Sequence, residues 1–326
     1  MEHLPEKLIG RLSELLPSQN DALLLHAFAN KPLPAFRANT LKISTEKLPI
    51  RLENQGFLLK QLPWYPDAFV LQNKSVRELT ETKEYEQGLL YIQNLSSMIP
   101  ALVLTPQPNQ KILDLCASPG SKTTQLADRM KNRGEIIAND LSRKRLFKLR
   151  DNLKAYGVTN ATITNIPGQF IWKKYPEYFD RVLVDVPCSM EGRINVNDPK
   201  SYQDWSLKKI KELSNRQKYL LRSAVLATKP GGTVVYSTCT LAPEENEEVI
   251  DWVLEKEKGN IALQPIAIPH LQLASGIPSW QKKTFHPEVV KTSRIYPSQE
   301  MEGFFIAKIK KVRSSFSIIV NKGTKQ

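Results

Sequence analysis

The sequence predicts an α/β fold, a doubly wound and mostly parallel sheet preceded by a smaller α+β domain. Three observations carry this. From about residue 96, short β-branched runs alternate with helical stretches, the pattern of a chain that crosses over between parallel strands. The first of those runs breaks into "ILDLCASPGSKTT" (112–124), an apolar strand leading through a tight Gly-containing turn into a helix. Before residue 95, helices and strands mix without that rhythm.

Taken in order, Leu4, Leu8, Leu12, Leu15 and Leu16 recur at helical spacing, and a second apolar helix is expected across Ala22 to Phe28. "LPAFRANTLKI" (33–43) reads as a strand, and "RLENQGF" closes a helix at Gly56. "LPWYPDAFVL" (62–71) reads as a Pro-rich turn entering a short strand. These make a first domain over 1–95. A second follows over 96–313, and 314–326 is a short tail. The second domain's strands are "KILDLC" (111–116), "EIIAND" (135–140), "ATIT" (161–164), "RVLVDV" (181–186), "GTVVYS" (232–237) and "GFFIAKIKK" (303–311). Helices from Thr123 to Met130, Ser142 to Tyr156 and Leu207 to Thr228 fill the intervals, the last ended by "KPGG". In such sheets ligands sit at the carboxyl ends of the strands.

The 326 residues are 41% hydrophobic, enough for a sizeable core. A net charge of +13, from 46 Lys and Arg against 33 Asp and Glu, favours a polyanionic partner such as nucleic acid. The start "MEHLPEKLIG" lacks a secretory signal's basic end and apolar core, and no apolar run approaches the roughly 18–20 residues that cross a bilayer. No membrane partner is expected. The three cysteines, Cys116, Cys188 and Cys239, form neither a disulfide framework nor a C-x-x-C metal pair. A reduced, cytoplasmic protein without a metal is expected.

The unusual residues fall at strand ends. The first turn resembles a phosphate loop, but Walker A needs glycines where Cys116 and Ser121 stand, and the dinucleotide fingerprint needs three glycines where only Gly120 is present. Asp140 lies about 20 residues beyond that turn, where an acidic side chain accepts from a ribose; it also suits the start of the following helix. Cys188, after Asp-x-Pro, and Cys239, after Ser-Thr, end two different strands. Each is either a nucleophile or a small buried apolar residue.

"DLCASPGSKTTQLA", "DVPCSMEG" and "VVYSTCTLAPEENE", in that order, strongly resemble the RNA cytosine-5 methyltransferases of the Sun/Nop2 family. "FRANTLKIS", "GLLYIQNLSSMIPAL" and "EGFFIAKI" extend the resemblance over about residues 33–310, closest to the bacterial 16S ribosomal RNA enzymes. The C-terminal RNA-binding extension of some members is expected to be absent. The resemblance implies a class I, Rossmann-like methyltransferase fold using S-adenosylmethionine. Cys116, Ala117, Ser118, Pro119, Gly120, Ser121 and Lys122 would line the cofactor's methionine part, Asp140 would take the ribose, and Asp185 would border both cofactor and substrate. It implies Cys239 as the nucleophile on cytosine carbon 6, Asp185 as the acceptor for the base's amine or ring nitrogen, Lys122 as nearby positive charge, and Cys188 as the helper in release. In DNA cytosine methyltransferases the Pro-Cys cysteine attacks, which would select Cys188; the "STCT" box favours Cys239.

Two positions depart from the family. Pro167 stands where an acidic residue near the adenine is usual, with Asn165 a substitute, and Met190 stands where Gly is usual, which is expected to narrow the pocket. Pro243 is expected to start a helix whose positive end attracts Glu244, Glu245, Glu247 and Glu248, none of them catalytic. Arg143, Phe147, Arg150 and Lys154 form an outward stripe that suits a phosphate backbone or is simply solvated, and Arg37, Lys173, Lys174, Lys208, Lys209 and Lys211 add charge elsewhere. The expected partner is RNA, ribosomal first and transfer RNA as the alternative, bound by a monomer. A ribosome-assembly factor that binds without turnover is the reading from another class.

Overall fold

Strand β1 (Ala35–Ala38) is the centre of a small sheet, with β2 (Leu59–Leu62), β3 (Tyr65–Leu71) and β4 (Leu90–Ile92) in the order β2-β3-β1-β4. The computed structural model describes residues 4–16 and 28–316, so the expected Ala22–Phe28 helix falls outside the described residues except at its last position. One correction applies here: the strand expected over 33–43 stops at Ala38, because the chain turns back at Asn39, whose carbonyl accepts the N–H groups of Lys42 and Ile43. The turn at Pro63 and Trp64 enters a strand, β3, as expected, and β2 before it makes the pair a hairpin.

The expected doubly wound sheet follows. β5 (Lys111–Asp114), β6 (Glu135–Asn139), β7 (Ala161–Thr164), β8 (Phe179–Asp185) and β9 (Thr228–Thr238) pair in parallel in the order β7-β6-β5-β8-β9. β10 (Ile261–Gln264), β11 (Ala274–Ser275) and β14 (Ser293–Ile295) complete the nine-stranded sheet around antiparallel β15 (Phe304–Lys311), which joins it to β9. β12 (Ser279–Trp280) and β13 (Lys283–Thr284) form a separate ribbon. From β5 the chain winds outward to β6 and β7, then returns to β8 on the other side. The crevice at the carboxyl ends of β5 and β8 is therefore the topological switch point, where a ligand is expected.

Both faces of the sheet are covered, so its strands are apolar throughout rather than alternating. Val182, Val184, Val234 and Phe305 pack to one face, and Leu183, Val235, Phe304 and Ile306 to the other. Helix Glu6–Leu15 places Leu8, Leu12 and Leu15 in the first of these cores, against the large sheet. Helix Leu95–Leu104 fills the second with Met98 and Ile99. Arg37, read from the sequence as surface charge, is only 1% exposed. Its guanidinium donates to the Ser121 carbonyl and the Thr124 hydroxyl, so β1 is fastened directly to the start of the helix after β5.

Candidate active site

The turn after β5 is shaped by Gly120, whose φ of +109° lies in the region only glycine enters without strain; a Cβ there would meet Leu149 Cδ1 at 3.0 Å. Helix Ser121–Arg129 starts at that residue. The Ala117 N–H donates to the Asn139 carbonyl at 2.8 Å, folding the turn over the end of β6. Asp140 accepts the Ser118 N–H at 3.2 Å and the Ser142 N–H at 2.9 Å, and lies 3.5 Å from the Arg145 guanidinium. Its carboxylate thus joins the turn to the next helix while bordering a cavity.

That cavity, of about 360 Å³, is lined by Cys116, Asp140, Ser142, Gly168, Pro187 and Arg216, among others. The Ser118 hydroxyl, in the same turn as Cys116, is buried and has no hydrogen-bond partner among the described residues. Burial, reinforced by Asp114, Asp140 and Asp185, pushes the Cys116 thiol up, so it is an apolar wall rather than a nucleophile. A carboxylate, a cation and a helix start around one cavity suit a nucleoside ligand that carries a charged amino-acid portion. Pro167 precedes the turn Gly168–Phe170, and Gly168 contributes to the wall in its place. The Asn165 amide donates to the carbonyls of Asp140 and Leu141, bracing the rim.

Lys122, in the first turn of the helix, donates to Asp185 Oδ2 and to the Ser97 hydroxyl, each at 2.7 Å. Ser237, the β9 neighbour of Asp185 in register, donates to Oδ1 at 2.7 Å. The carboxylate at the end of β8 is therefore held in place by both partners while keeping some exposure. Next to it the two expected thiols meet: Cys188 Sγ lies 3.3 Å from Cys239 Sγ. The hydrogen bond to Cys239, then burial, then the charges of Cys239 and Glu245 hold Cys188 well above the ordinary thiol range. Cys188 is the buried, protonated member of the pair.

The glutamates after Cys239 do not begin a helix at Pro243. The helix is Glu247–Glu257, and three of the acidic side chains turn inward because cations and donors await them. Glu244 takes both ends of the Arg11 guanidinium, at 2.9 and 2.7 Å. Glu245 accepts the Ser189 N–H, the Ser189 hydroxyl and the Gln217 amide; burial pushes it up to about 7. Glu247 is paired with Arg294 at 2.5 Å, both fully buried. Gly192 brings the loops together: its N–H donates to the Cys239 carbonyl at 3.1 Å, and a Cβ on it would stand 2.1 Å from the Gly303 carbonyl. Met190 has a φ of +62° and is 43% exposed, so it occupies a left-handed turn position, the reason a glycine suits it, and points to solvent rather than narrowing a pocket.

Ser97, Ser237 and Arg193 escaped the sequence reading, and Glu245 was read only as part of a helix start. Ser237 had a signal, its place two residues before Cys239 and thus on the same face of β9. A second cleft of about 510 Å³ runs between the small sheet and the 192–195 loop, with Gln93, Asn94, Arg193, Asn195 and Glu302 among its walls. Among the described residues no cluster of three or more His, Cys, Asp and Glu could hold a metal ion, and no helix is long and apolar enough to cross a membrane.

The family described as 16S rRNA methyltransferase RsmB/F matches residues 101–310, and the N-terminal domain of 16S rRNA methyltransferase RsmF matches residues 4–95. The chain is 41% identical over 311 residues to the tRNA (cytosine(49)-C(5))-methyltransferase of Pyrococcus abyssi, covering 94% of this chain and 96% of that one. It is 37% identical to ribosomal RNA small subunit methyltransferase F of Vibrio cholerae, over 98% of this chain but only 66% of that longer protein. The crystal structure of NSun6 from Pyrococcus horikoshii with SFG superposes with a TM-score of 0.79 at 25% identity, over 95% of this chain and 98% of that one. The chain belongs to the 16S rRNA methyltransferase RsmB/F family, a group of S-adenosylmethionine-dependent RNA cytosine-5 methyltransferases.

Proposed function

We propose that Cys239 is the nucleophile and Cys188 the release residue in methylation of a ribosomal RNA cytosine, by a cytoplasmic monomer. The observation that carries this is the thiol pair at 3.3 Å beside the Lys122–Asp185 ion pair. Bound S-adenosylmethionine supplies an electrophilic methyl group; Cys116 to Lys122 and Asp140 would hold it, Cys116 and Asp140 being the members of that set that line the 360 Å³ cavity. Carbon 5 of cytosine is a poor nucleophile. Addition of the Cys239 thiolate to carbon 6 forms a C–S bond and moves the ring's electron pair to carbon 5. Asp185, held by Lys122 and Ser237, accepts a hydrogen bond from the base's amine or ring nitrogen and steadies the charge that develops there. Once carbon 5 has been methylated its proton must leave, and the returning electrons expel the sulfur as Cys239 thiolate. A base in paired RNA must first be unstacked to reach these groups.

The match of residues 4–95 to the RsmF N-terminal domain supports ribosomal RNA. Transfer RNA is the second reading, supported by 41% identity along 96% of an archaeal tRNA enzyme. Incubation with labelled methyl donor and either small ribosomal subunits, 16S RNA or tRNA decides between them, with bisulfite sequencing of the product. Label confined to a ribosomal cytosine is expected; label confined to tRNA overturns the substrate, and label in neither favours a binding factor.

Helix Arg143–Ala155 supports RNA docking. Arg143, Lys144, Lys148, Arg150 and Lys154 project from it without an ion pair among the described residues, and Phe147 is 64% exposed between them. Unpaired cations one turn apart repel each other unless an anion lies across them. Charge reversal in Lys144→Glu, Lys148→Glu and Arg150→Glu together should weaken RNA binding by tenfold or more and lower the slope of log affinity against log salt by about 2–3. Filter binding across a salt series checks this; an unchanged slope makes the face merely solvated.

A further inference from the structure

Lys122 carries its charge on a flexible four-carbon stem, a poor way to place a cation unless something holds it. Its side chain is buried, and its ammonium donates to Asp185 Oδ2 and to the Ser97 hydroxyl at 2.7 Å each, with the centroid of the Phe304 ring 5.8 Å away. Two of its three N–H groups are thereby committed. What steadies Ser97 in turn comes from the small sheet. Gln93, which follows β4 directly, donates its side-chain amide to the Ser97 carbonyl at 3.0 Å, and its amide oxygen accepts Arg37 Nε at 3.1 Å. The Gln93 backbone N–H bonds the Ala35 carbonyl on β1 at 3.0 Å, and the residue is buried.

Arg37 closes the circuit. Its Nη2 donates at 3.1 Å to the Ser121 carbonyl, which belongs to the peptide group leading into Lys122, and at 2.6 Å to the Thr124 hydroxyl. One guanidinium therefore holds Lys122 by its backbone and, through Gln93 and Ser97, by its ammonium. Stability of the helix does not ask for this. A cation at a helix N-terminus faces the positive end of the dipole, and Lys122 is a second cation in the same first turn. A clamp built for the fold alone is best served by a bidentate pair with a carboxylate. The buried carboxylate at hand, Asp128, lies 3.9 Å from the guanidinium and accepts the Thr40 hydroxyl. Arg37 directs its hydrogen bonds instead to uncharged acceptors around Lys122.

We propose that Arg37 and Gln93 are positioning residues of the N-terminal unit that hold the Lys122 ammonium against Asp185, so that this unit is part of the catalytic apparatus rather than only packed beside it. The proposal rests on the reading in which Lys122 and Asp185 act on the base. Neither residue makes or breaks a bond. Released from Ser97, the ammonium is free to turn away from Asp185, whose carboxylate then keeps only Ser237 at its other oxygen.

Gln93→Met keeps the side chain's length and removes both of its side-chain hydrogen bonds; Ser97→Ala removes the acceptor itself. Acetic anhydride labelling of the ligand-free protein, read by peptide mass spectrometry, reports how freely the Lys122 amine leaves its partners. Lys311, buried at the far end of β15 from Phe304 and held by Glu177 and the Val225 carbonyl, reports general loosening of the fold. Lys122 labelling should rise about fivefold or more in both variants while Lys311 stays within about twofold of wild type. Ser97→Thr, which returns the hydroxyl, should bring Lys122 back toward the wild-type rate. In methyl transfer, kcat should fall about tenfold in Gln93→Met and Ser97→Ala, with KM for the methyl donor within about twofold. Unchanged Lys122 labelling in natively folded Gln93→Met overturns the proposal, and so does a parallel rise of Lys122 and Lys311, which makes the network a fold clamp. A wild-type kcat with Lys122 released, or a loss confined to KM, overturns it too. If the wild type transfers no methyl group to any RNA, the proposed function fails, while the labelling, done without RNA or methyl donor, still decides whether Lys122 is held.

Discussion

Cys188→Ala protein, recovered from cells under denaturing conditions, should carry RNA attached through Cys239, whereas Cys239→Ala should carry none and lose methyl transfer by at least about 10³-fold. The asymmetry follows from what happens to the pair during the reaction. Before attack, the hydrogen bond to Cys239 is the strongest influence keeping Cys188 protonated. Once the Cys239 sulfur is bonded to carbon 6 it is a neutral thioether, and that influence is gone. Cys188 can then lose its proton to solvent and, as a thiolate, take the proton from carbon 5, after which the electrons of that C–H bond re-form the ring double bond and expel Cys239. Alanine at 188 stops the sequence after methylation and leaves the C–S bond in place. Sequencing the trapped RNA names the cytosine as well as the nucleophile. RNA trapped by Cys239→Ala and not by Cys188→Ala would exchange the two roles. No trapping by either, with no transfer by the wild type, would leave only an RNA-binding protein.

Much of this site was legible because its signals are local. Strands β5 to β9 are short branched runs bounded by turn residues, and the functional groups follow them directly, so a strand assignment was also a site assignment. What was not legible depends on partners far along the chain. Arg37 looks like any surface cation until Ser121 and Thr124, more than 80 positions away, are brought to it. The glutamates after Cys239 have the composition of a helix start, and only the arrival of Arg11, Ser189 and Arg294 turns them inward. Helix Leu95–Leu104 is buried on nearly every side, so it lacks the polar face that marks a helix in a sequence. Met190 is the opposite case, where a departure from the family pattern was visible but its meaning was a backbone angle rather than a pocket wall.

Arg294→Ala should be the most destabilising single change outside the thiol pair, costing about 3–5 kcal/mol, or a Tm lower by about 5–15 °C. Arg294 donates to both oxygens of Glu247, at 2.6 and 2.5 Å, and to the Leu241 carbonyl at 2.9 Å. Neither side chain has any exposed surface. Alanine removes the cation and leaves the Glu247 carboxylate buried with only the Ile277 N–H, at 3.2 Å, to replace it. Most of the cost is that stranded anion rather than the lost attraction, so Arg294→Met with Glu247→Leu should recover most of the stability. Activity should not recover in parallel. Leu241 lies two residues after Cys239, and the Arg294 donor to its carbonyl is absent from the double variant, which frees the turn that presents Cys239. Thermal melts and single-turnover methyl transfer on the same preparations separate the two effects. If stability and transfer return together, the clamp on Leu241 has no part in holding Cys239, and the buried ion pair serves the fold alone.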